Sequence, residues 1–318
     1  MNNTHIANQA LLAKETTRTA VTANIMWIPK ASTLNPEDAY VNDESIGTIV
    51  TVRDSRKVKS GSNLTCELVM DVSVQLLMVF AEPTSVVDAL DAVYNHTYEL
   101  AENNTHKSFT IYANDNVIGS NSERATYVVD SFEINATANY VRTNLTMIRV
   151  TEVSHQSTNF VSENKFSFDD VSIKVVSASD KASALTALAS APAFKVQSLR
   201  VNFAKNTLQN QELSLDIADI FNQNFTIEDF TAVYKDKDIY DVFNSSSKKY
   251  MQIILENNNV VITISNPSLD ILLNQVSFQT WTKSSDINAI VTQTIFIEYN
   301  TTDAEAVTAV LKNTKTSY

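Results

Sequence analysis

The sequence predicts a mainly β protein, and three observations carry that prediction. Leu64, Cys66, Leu68, Met70, Val72, Val74 and Leu76 occupy every second position, which puts one apolar face on an extended strand. Shorter alternating runs recur at Phe109 to Ala113, Phe132 to Ala136, Phe166 to Ile173, Leu213 to Ile217, Val260 to Ile264 and Ile295 to Tyr299. The chain holds only three glycines, Gly47, Gly61 and Gly119, so reversals fall to Asn and Asp, whose side chains tolerate left-handed backbone. Asn114-Asp115-Asn116 and Asn257-Asn258-Asn259 are the expected strand-to-strand turns.

Taken element by element, the Leu64 to Leu76 run would reach roughly 43 Å if fully extended, longer than ordinary strands, so it is expected to bend or pass into a helix near Leu76 to Phe80. Three short helices are expected around the sheet. Ser85 to Tyr94 follows Pro83 and spaces Val86, Val87, Leu90 and Val93 helically; Asp180 to Ala191 is Ala-rich and stopped by Pro192; Thr302 and Glu305 form a capping box ahead of Val307, Val310 and Leu311.

An internal repeat organises these elements. Ser131-Phe132-Glu133 recurs 146 positions later as Ser277-Phe278-Gln279, and the same offset carries Thr146 to Thr292 and Glu152 to Glu298. Upstream, Thr48 to Arg53 before Leu64 to Met70 resembles Ser198 to Phe203 before Leu213 to Asp219. The reading is a first unit over 1–153, a connecting strand and helix over 154–191 and a second unit over 192–318, in keeping with a chain longer than one usual domain.

Composition narrows the function. At this length roughly 75% of the unfolded surface can be buried, so the fold needs no disulfide; the lone Cys66 is expected as a small buried hydrophobe. A formal charge of −12 opposes gripping nucleic acid through its phosphates, but suits a conduit along which DNA slides without sticking. No apolar run is long enough to span a bilayer and the start lacks a signal-peptide pattern, so a protein that is neither membrane-bound nor exported is expected. Without export, the Asn-x-Thr triplets at Asn63, Asn95, Asn103, Asn135, Asn144 and Asn224 are chance products of an Asn- and Thr-rich β surface.

No enzyme is expected, and the expected sets of catalytic, cofactor-binding and metal-binding residues are empty. Isolated glycines build neither a Walker loop nor a dinucleotide fingerprint, and no zinc helix or nucleophile elbow occurs. His5, His96, His106 and His155 are scattered; only His96 and His106 would approach one another, without a third ligand beside them, and surface or core-edge positions are expected for them. Asp169 and Asp170 on a strand would point to opposite faces, which fits a solvated edge better than an acid–base pair. Arg53, Arg56, Lys57 and Lys59 form the densest basic cluster, without aromatics, and fit an exposed loop or the cationic half of a subunit contact, the latter being the expectation.

Longer phrases carry a resemblance. Gln9 to Thr17, Gly47 to Gly61 with its Arg-Asp-Ser-Arg core, His96-Thr-Tyr and Ser108-Phe-Thr-Ile-Tyr resemble the opening domain of bacteriophage tail tube proteins. Ala193 to Lys205, the stretch from Trp281 through Ile295, and Leu311 to Tyr318 resemble the second domain of the duplicated kind. The resemblance implies two tandem tail-tube-type β-sandwich or barrel domains with short flanking α-helices, the first carrying an N-terminal arm. It implies trimeric pseudo-hexameric rings that stack into a hollow virion tube, assembled in the host cytoplasm, of the siphovirus-like non-contractile type. The implied partners are further copies of the chain, the tape measure, tail tip and tail terminator proteins, and DNA that passes through the lumen unbound. The competing readings are a head decoration or head-to-tail connector protein, and a carbohydrate-binding β module with Trp27, Trp281 and tyrosines as platforms.

Overall fold

A computed structural model of the chain describes residues 9–17, 20–27, 29–32, 38–43, 54–59, 63–72, 83–88, 92–100, 108–114, 122–137, 139–152, 163–205, 207–209, 217–219, 224–233, 240–241, 244, 249–262, 264–284, 292–299 and 306–316. The protein is mainly β, as the alternating runs predict, and every strand ladder described is antiparallel. The first half holds β1 (Gln9–Thr17), β2 (Ala20–Trp27), β3 (Pro29–Ser32), β4 (Asp38–Asp43), β5 (Asp54–Lys59), β6 (Asn63–Val69), β7 (Thr84–Asp88), β8 (Val93–Glu99), β9 (Ser108–Asn114), β10 (Ser122–Ala136) and β11 (Arg142–Glu152). There follow β12 (Val171–Ser177), α1 (Lys181–Ser190), β13 (Phe194–Ala204), β14 (Thr207–Gln209), β15 (Ile217–Asp219), β16 (Asn224–Val233), β17 (Lys249–Glu256), β18 (Ser268–Ser284), β19 (Thr292–Tyr299) and β20 (Val307–Asn313).

In the second half the ladders close on themselves: β12 pairs β17, then β18, β19, β16 and β13 follow, and β13 returns to β12 through Ser172↔Lys195 and Ile173↔Phe194. This is a six-stranded barrel, which leaves only strand ends to be covered. In the first half β1, β9, β10, β11, β6 and β3 follow in the same neighbour order. There β2 pairs β1 up to Leu12↔Trp27 and β3, beginning at Pro29, pairs β6; no ladder joins β1 to β3 directly among the described residues. Each half also sets a two-stranded hairpin apart from the main sheet, β4–β5 between β3 and β6, and β14–β15 between β13 and β16.

Two ladders join the halves into one sixteen-stranded sheet. β10 pairs β13 over Ser131↔Ala204 to Ala136↔Leu199, and β20 lies between β18 and β8. One apolar cluster runs through both, from Phe109, Phe132 and Leu145 to Phe203, Ile253, Ile271 and Leu311. On β20 the period-two pattern is complete: Val307, Ala309, Leu311 and Asn313 are buried and the residues between them are half-buried.

Among the three expected helices, the one at Asp180 to Ala191 is present. Asp180 caps it by accepting from the Ser183 amide at 2.9 Å, it ends before Pro192, and Ala184 and Leu188 seat it against Tyr250 and Leu272. The other two expectations are corrected. Ser85 to Tyr94 forms the β7–β8 hairpin, turned at Ala92 with φ 51° and a bond from the Ala92 amide to the Asp88 carbonyl. Here β-branched Val86, Val87 and Val93 favour extended backbone, and cross-strand partners outweigh the helical spacing. Residues 307–313 form β20, because a strand in that place is hydrogen-bonded on both edges, whereas a helix would leave β18 and β8 unpaired.

The Leu64 run ends as strand at Val69, where the chain leaves the ladder for an isolated bridge, Asp71↔Lys165; residues 73–80 lie outside the described residues. Phe166 to Ile173 is broken by a single 3-10 turn at Phe168–Asp170 before β12 begins. Val260 to Ile264 belongs to the β17–β18 connection, with one bridge, Ile262↔Ser265, and exposed Val261 and Ile264. Asn257 opens that turn as expected, its Oδ1 accepting from the Asn259 amide at 3.0 Å. Residues 115–116 and 213–216 lie outside the described residues. Among the described residues no helix is long and apolar enough to cross a membrane.

Candidate assembly surface

The junction between the halves is built on the alternation of two long strands. Phe132, Ile134 and Ala136 on β10 and Leu199, Val201 and Phe203 on β13 all point into the core, and Phe132 faces Phe203 across the ladder with ring centroids 5.4 Å apart. That tilted packing places two of the larger buried side chains on the seam. On the opposite face Glu133 accepts from Arg200 at 3.1 Å and from Asn144 at 3.1 Å, an exposed arrangement that sets register more than it stabilises. The Lys205 amide donates to the Asp130 carbonyl at 2.7 Å, which carries the contact one step past the ladder.

β20 makes the second join. His96 on β8 is fully buried; its Nδ1 lies 2.7 Å from Ser85 Oγ and its Nε2 lies 3.2 Å from Asn313 Oδ1. The Asn313 amide group donates to the Val72 carbonyl at 3.0 Å, and the Lys315 amide donates to Asn313 Oδ1 at 2.9 Å. Burial lowers the His96 pKa from its ordinary value, against the opposing pull of its hydrogen bonds to Asn313 and Lys315. Beside this network is a cavity of ≈ 400 Å³ lined by Val72, Glu163, Val260, Pro267, Asn313 and Lys315, with Glu163 and Lys315 paired at 3.1 Å.

The edges of the two long strands differ. β11 runs along one side of β10; the other side carries β9 at Ser122 to Val128 and then β13 at Ser131 to Ala136. On β18, Val276 pairs with both Lys249 of β17 and Tyr299 of β19, so β17 and β19 lie on opposite sides. β19 and β20 share one side, β17 fills the other from Ser268 to Val276, and no described strand follows it there. Thr282 and Lys283 at this stretch are exposed, while Trp281 packs on Tyr240 at 4.8 Å between ring centroids and on the core. β7 forms one end of the sheet path, with Val86 and Val87 both exposed.

The structure distributes the residues weighed in the sequence. His96 is a core residue with both ring nitrogens hydrogen-bonded in the protein, not a core-edge one; His5, His106 and His155 lie outside the described residues. Asp169 and Asp170 are on the 3-10 turn instead of a strand. Asp169 is exposed, whereas buried Asp170 accepts from the amide and hydroxyl of Ser167 at 2.6 and 2.8 Å, a capping role. Arg56, Lys57 and Lys59 are strand residues of β5, opposite Val41, Tyr40 and Asp38, and so not in a loop; Arg53 lies outside the described residues. Cys66 is on β6, between Leu145 of β11 and Ser32 of β3. Among the described residues no group of three or more His, Cys, Asp or Glu is placed to hold a metal ion.

One acidic group gave no signal in the sequence. Asp270 on β18 is pushed up to about 6 by burial and by neighbouring Glu256, with Lys174 and Lys312 pulling the other way. Its neighbours come from three other strands, so only the folded sheet brings them together. What the described surface offers is backbone edge and packed seam. Neither a protein-family model nor any curated protein matches the chain's sequence.

Proposed function

We propose that this chain is a structural virion protein that polymerises into stacked rings, forming the hollow tail tube through which phage DNA passes into the host. The observation that carries the reading is the shared strand order of the two halves, β1-β9-β10-β11-β6-β3 and β12-β17-β18-β19-β16-β13, each with a hairpin set aside at the corresponding place. Such a chain is two copies of one barrel unit placed side by side. Three chains then supply six units to a ring, and a head-to-tail contact that closes after three steps needs no further specialised surface.

The resemblance of the two halves to tail tube domains supports the same reading, as does the formal charge of −12, which disfavours adhesion of DNA to the tube wall. The protein performs no chemistry in this role. Its partners are its own copies within and between rings, a tape measure protein that sets length, and tip and terminator proteins at the ends. The packing of Trp281 against Tyr240 and the core takes that ring away from service as a sugar platform.

Negative-stain electron microscopy of the purified protein, with native mass measurement, tests the proposal. Rings or tubes whose mass is a multiple of three chains are expected. A species that stays monomeric at high concentration, with and without tail-tip proteins to nucleate it, would sink the reading.

A further inference from the structure

The geometry points to the side of β18 beyond β17, residues Ser277 to Ser284, as the docking place for strand β3 of a second copy of this chain. The inference rests on the ring reading above and assigns the strands that make its chain-to-chain contact.

In strand order β10 corresponds to β18, β9 to β17, and β3 to β13. On β10 the side that carries β9 continues into β13, which comes from the other half. On β18 the side that carries β17 runs on past Val276 for a further eight residues of strand, with ladders to β19 on the opposite side. Ser277-Phe278-Gln279 begins this stretch, as Ser131-Phe132-Glu133 begins the part of β10 that receives β13. The strand that would fill the place in a repeating arrangement is the counterpart of β13, which is β3.

β3 suits the role. Its described ladder is to β6 through Pro29↔Leu68, Ala31↔Glu67 and Ser32↔Cys66, the relation that β13 has with β16. β13 uses its other side for β12 at Phe194 and Lys195 and then for β10; on the matching side of the first half β2 pairs β1 up to Trp27, and among the described residues no ladder forms on β3 beyond it. Pro29 at the start of β3 is a residue that sheets admit on edge strands. β3 belongs to the first half and the receiving stretch of β18 to the second. The contact is therefore heterologous, the kind that propagates around a ring.

Cysteine cross-linking tests the assignment. In a Cys66→Ala background, Ser32→Cys is combined in turn with Thr280→Cys, Thr282→Cys and Ser284→Cys, three positions on one face that cover a shift of register by two in either direction. Mild oxidation of assembled protein is expected to give a chain-to-chain disulfide in at least one combination, with products ending at a closed circle of three chains. Cross-linking is expected to fall at least tenfold in the unassembled protein and in a control joining Ser32→Cys to Ser190→Cys at the end of α1. Electron microscopy of each sample separates the outcomes. Rings or tubes without cross-linking above the control in any combination overturn the strand assignment and leave the ring reading standing. Failure of the Cys66→Ala parent to assemble under any condition, while the protein remains folded by circular dichroism, overturns both.

Discussion

The two halves share a strand order and differ in what lies along their longest strands. In the second, β13 pairs β12 through two residue pairs and then continues along β16; in the first, β2 pairs β1 up to Leu12↔Trp27 and β3, starting at Pro29, pairs β6. What differs is the long strand of each: the side of β10 beyond β9 receives β13, while on the matching side of β18 no described strand follows β17. In the proposed ring, the filled side of β10 and the matching side of β18 would be the same contact, made once within the chain and once between chains.

The largest effect on this comparison is expected at the seam that both halves share. Phe203→Ala leaves a cavity against Phe132 and should destabilise by about 3–5 kcal/mol, read by urea or thermal unfolding. Thr282→Ala, on the exposed part of β18, should stay within about 0.5 kcal/mol. Equal losses at both sites would mean that the β10·β13 seam is not a core.

Next comes the join at β20. Asn313→Ala removes partners from buried His96 and from the Val72 carbonyl, at a cost of about 1–3 kcal/mol. The lowered pKa of His96 gives this region a pH dependence of known sign. The unfolded chain takes up the proton first, so the contribution is present above the ordinary histidine value near pH 6.5 and is lost as pH falls through the lower folded value. His96→Gln should flatten the acid limb of a stability–pH curve, and an unchanged limb would show that His96 is not its source.

Asp270 works in the opposite sense and within the second half. Its carboxyl is raised to about 6, so its contribution is greatest below the unfolded value near 4 and is lost as pH rises through about 6. Asp270→Asn is expected to raise stability by about 1 kcal/mol at pH 7, allowing for partial solvent contact, and to change nothing below pH 4. A stabilisation that persists at pH 3 would point to packing instead of charge. The smallest effect is backbone relief: Ala92 and Gln275 hold φ of 51° and 57°, so Ala92→Gly or Gln275→Gly should gain up to about 1 kcal/mol in unfolding measurements. A loss at either site would show that the left-handed backbone there is not costly.

How much of this the sequence revealed depends on where each residue's neighbours come from. β10 is legible because its alternation reflects one buried face, and β9 and β19 also fall on alternating runs. α1 is legible because capping Asp180, its alanines and Pro192 are local signals. β20 and the β7–β8 hairpin are not, since Val307, Val310 and Leu311 suit a helix or a strand equally until the flanking strands are in place. The offset of 146 matches Ser131 with Ser277 on equivalent strands, but the next strands are out of step: Ser131 pairs Thr146, whereas Ser277 pairs Glu298 and Thr292 pairs Ser284. The upstream match of Leu64 with Leu213 sets β6, in the main sheet, against the stretch entering β15, in a separate hairpin. Insertions in turns are invisible to a fixed offset, because period-two patterns look alike at every even shift. Of the candidate surface, the phenylalanines of the seam were visible as apolar strand positions, while His96, Asn313 and Asp270 owe their setting to strands distant in sequence.

The placement of β20 also governs how the molecule is made. His96 meets Asn313 across 217 residues of chain, and β8 reaches the main sheet through the ladder that contains this pair. The β7–β8 hairpin must therefore wait, with Val93 and Tyr98 uncovered, while more than half of the protein is synthesised and searched through. Such long-range closure slows folding and lengthens the time in which sticky edges are open to other chains. In the proposed polymer, edges that stay incomplete until synthesis has passed the clasp would guard against premature joining, and here the clasp and the delay are the same strand.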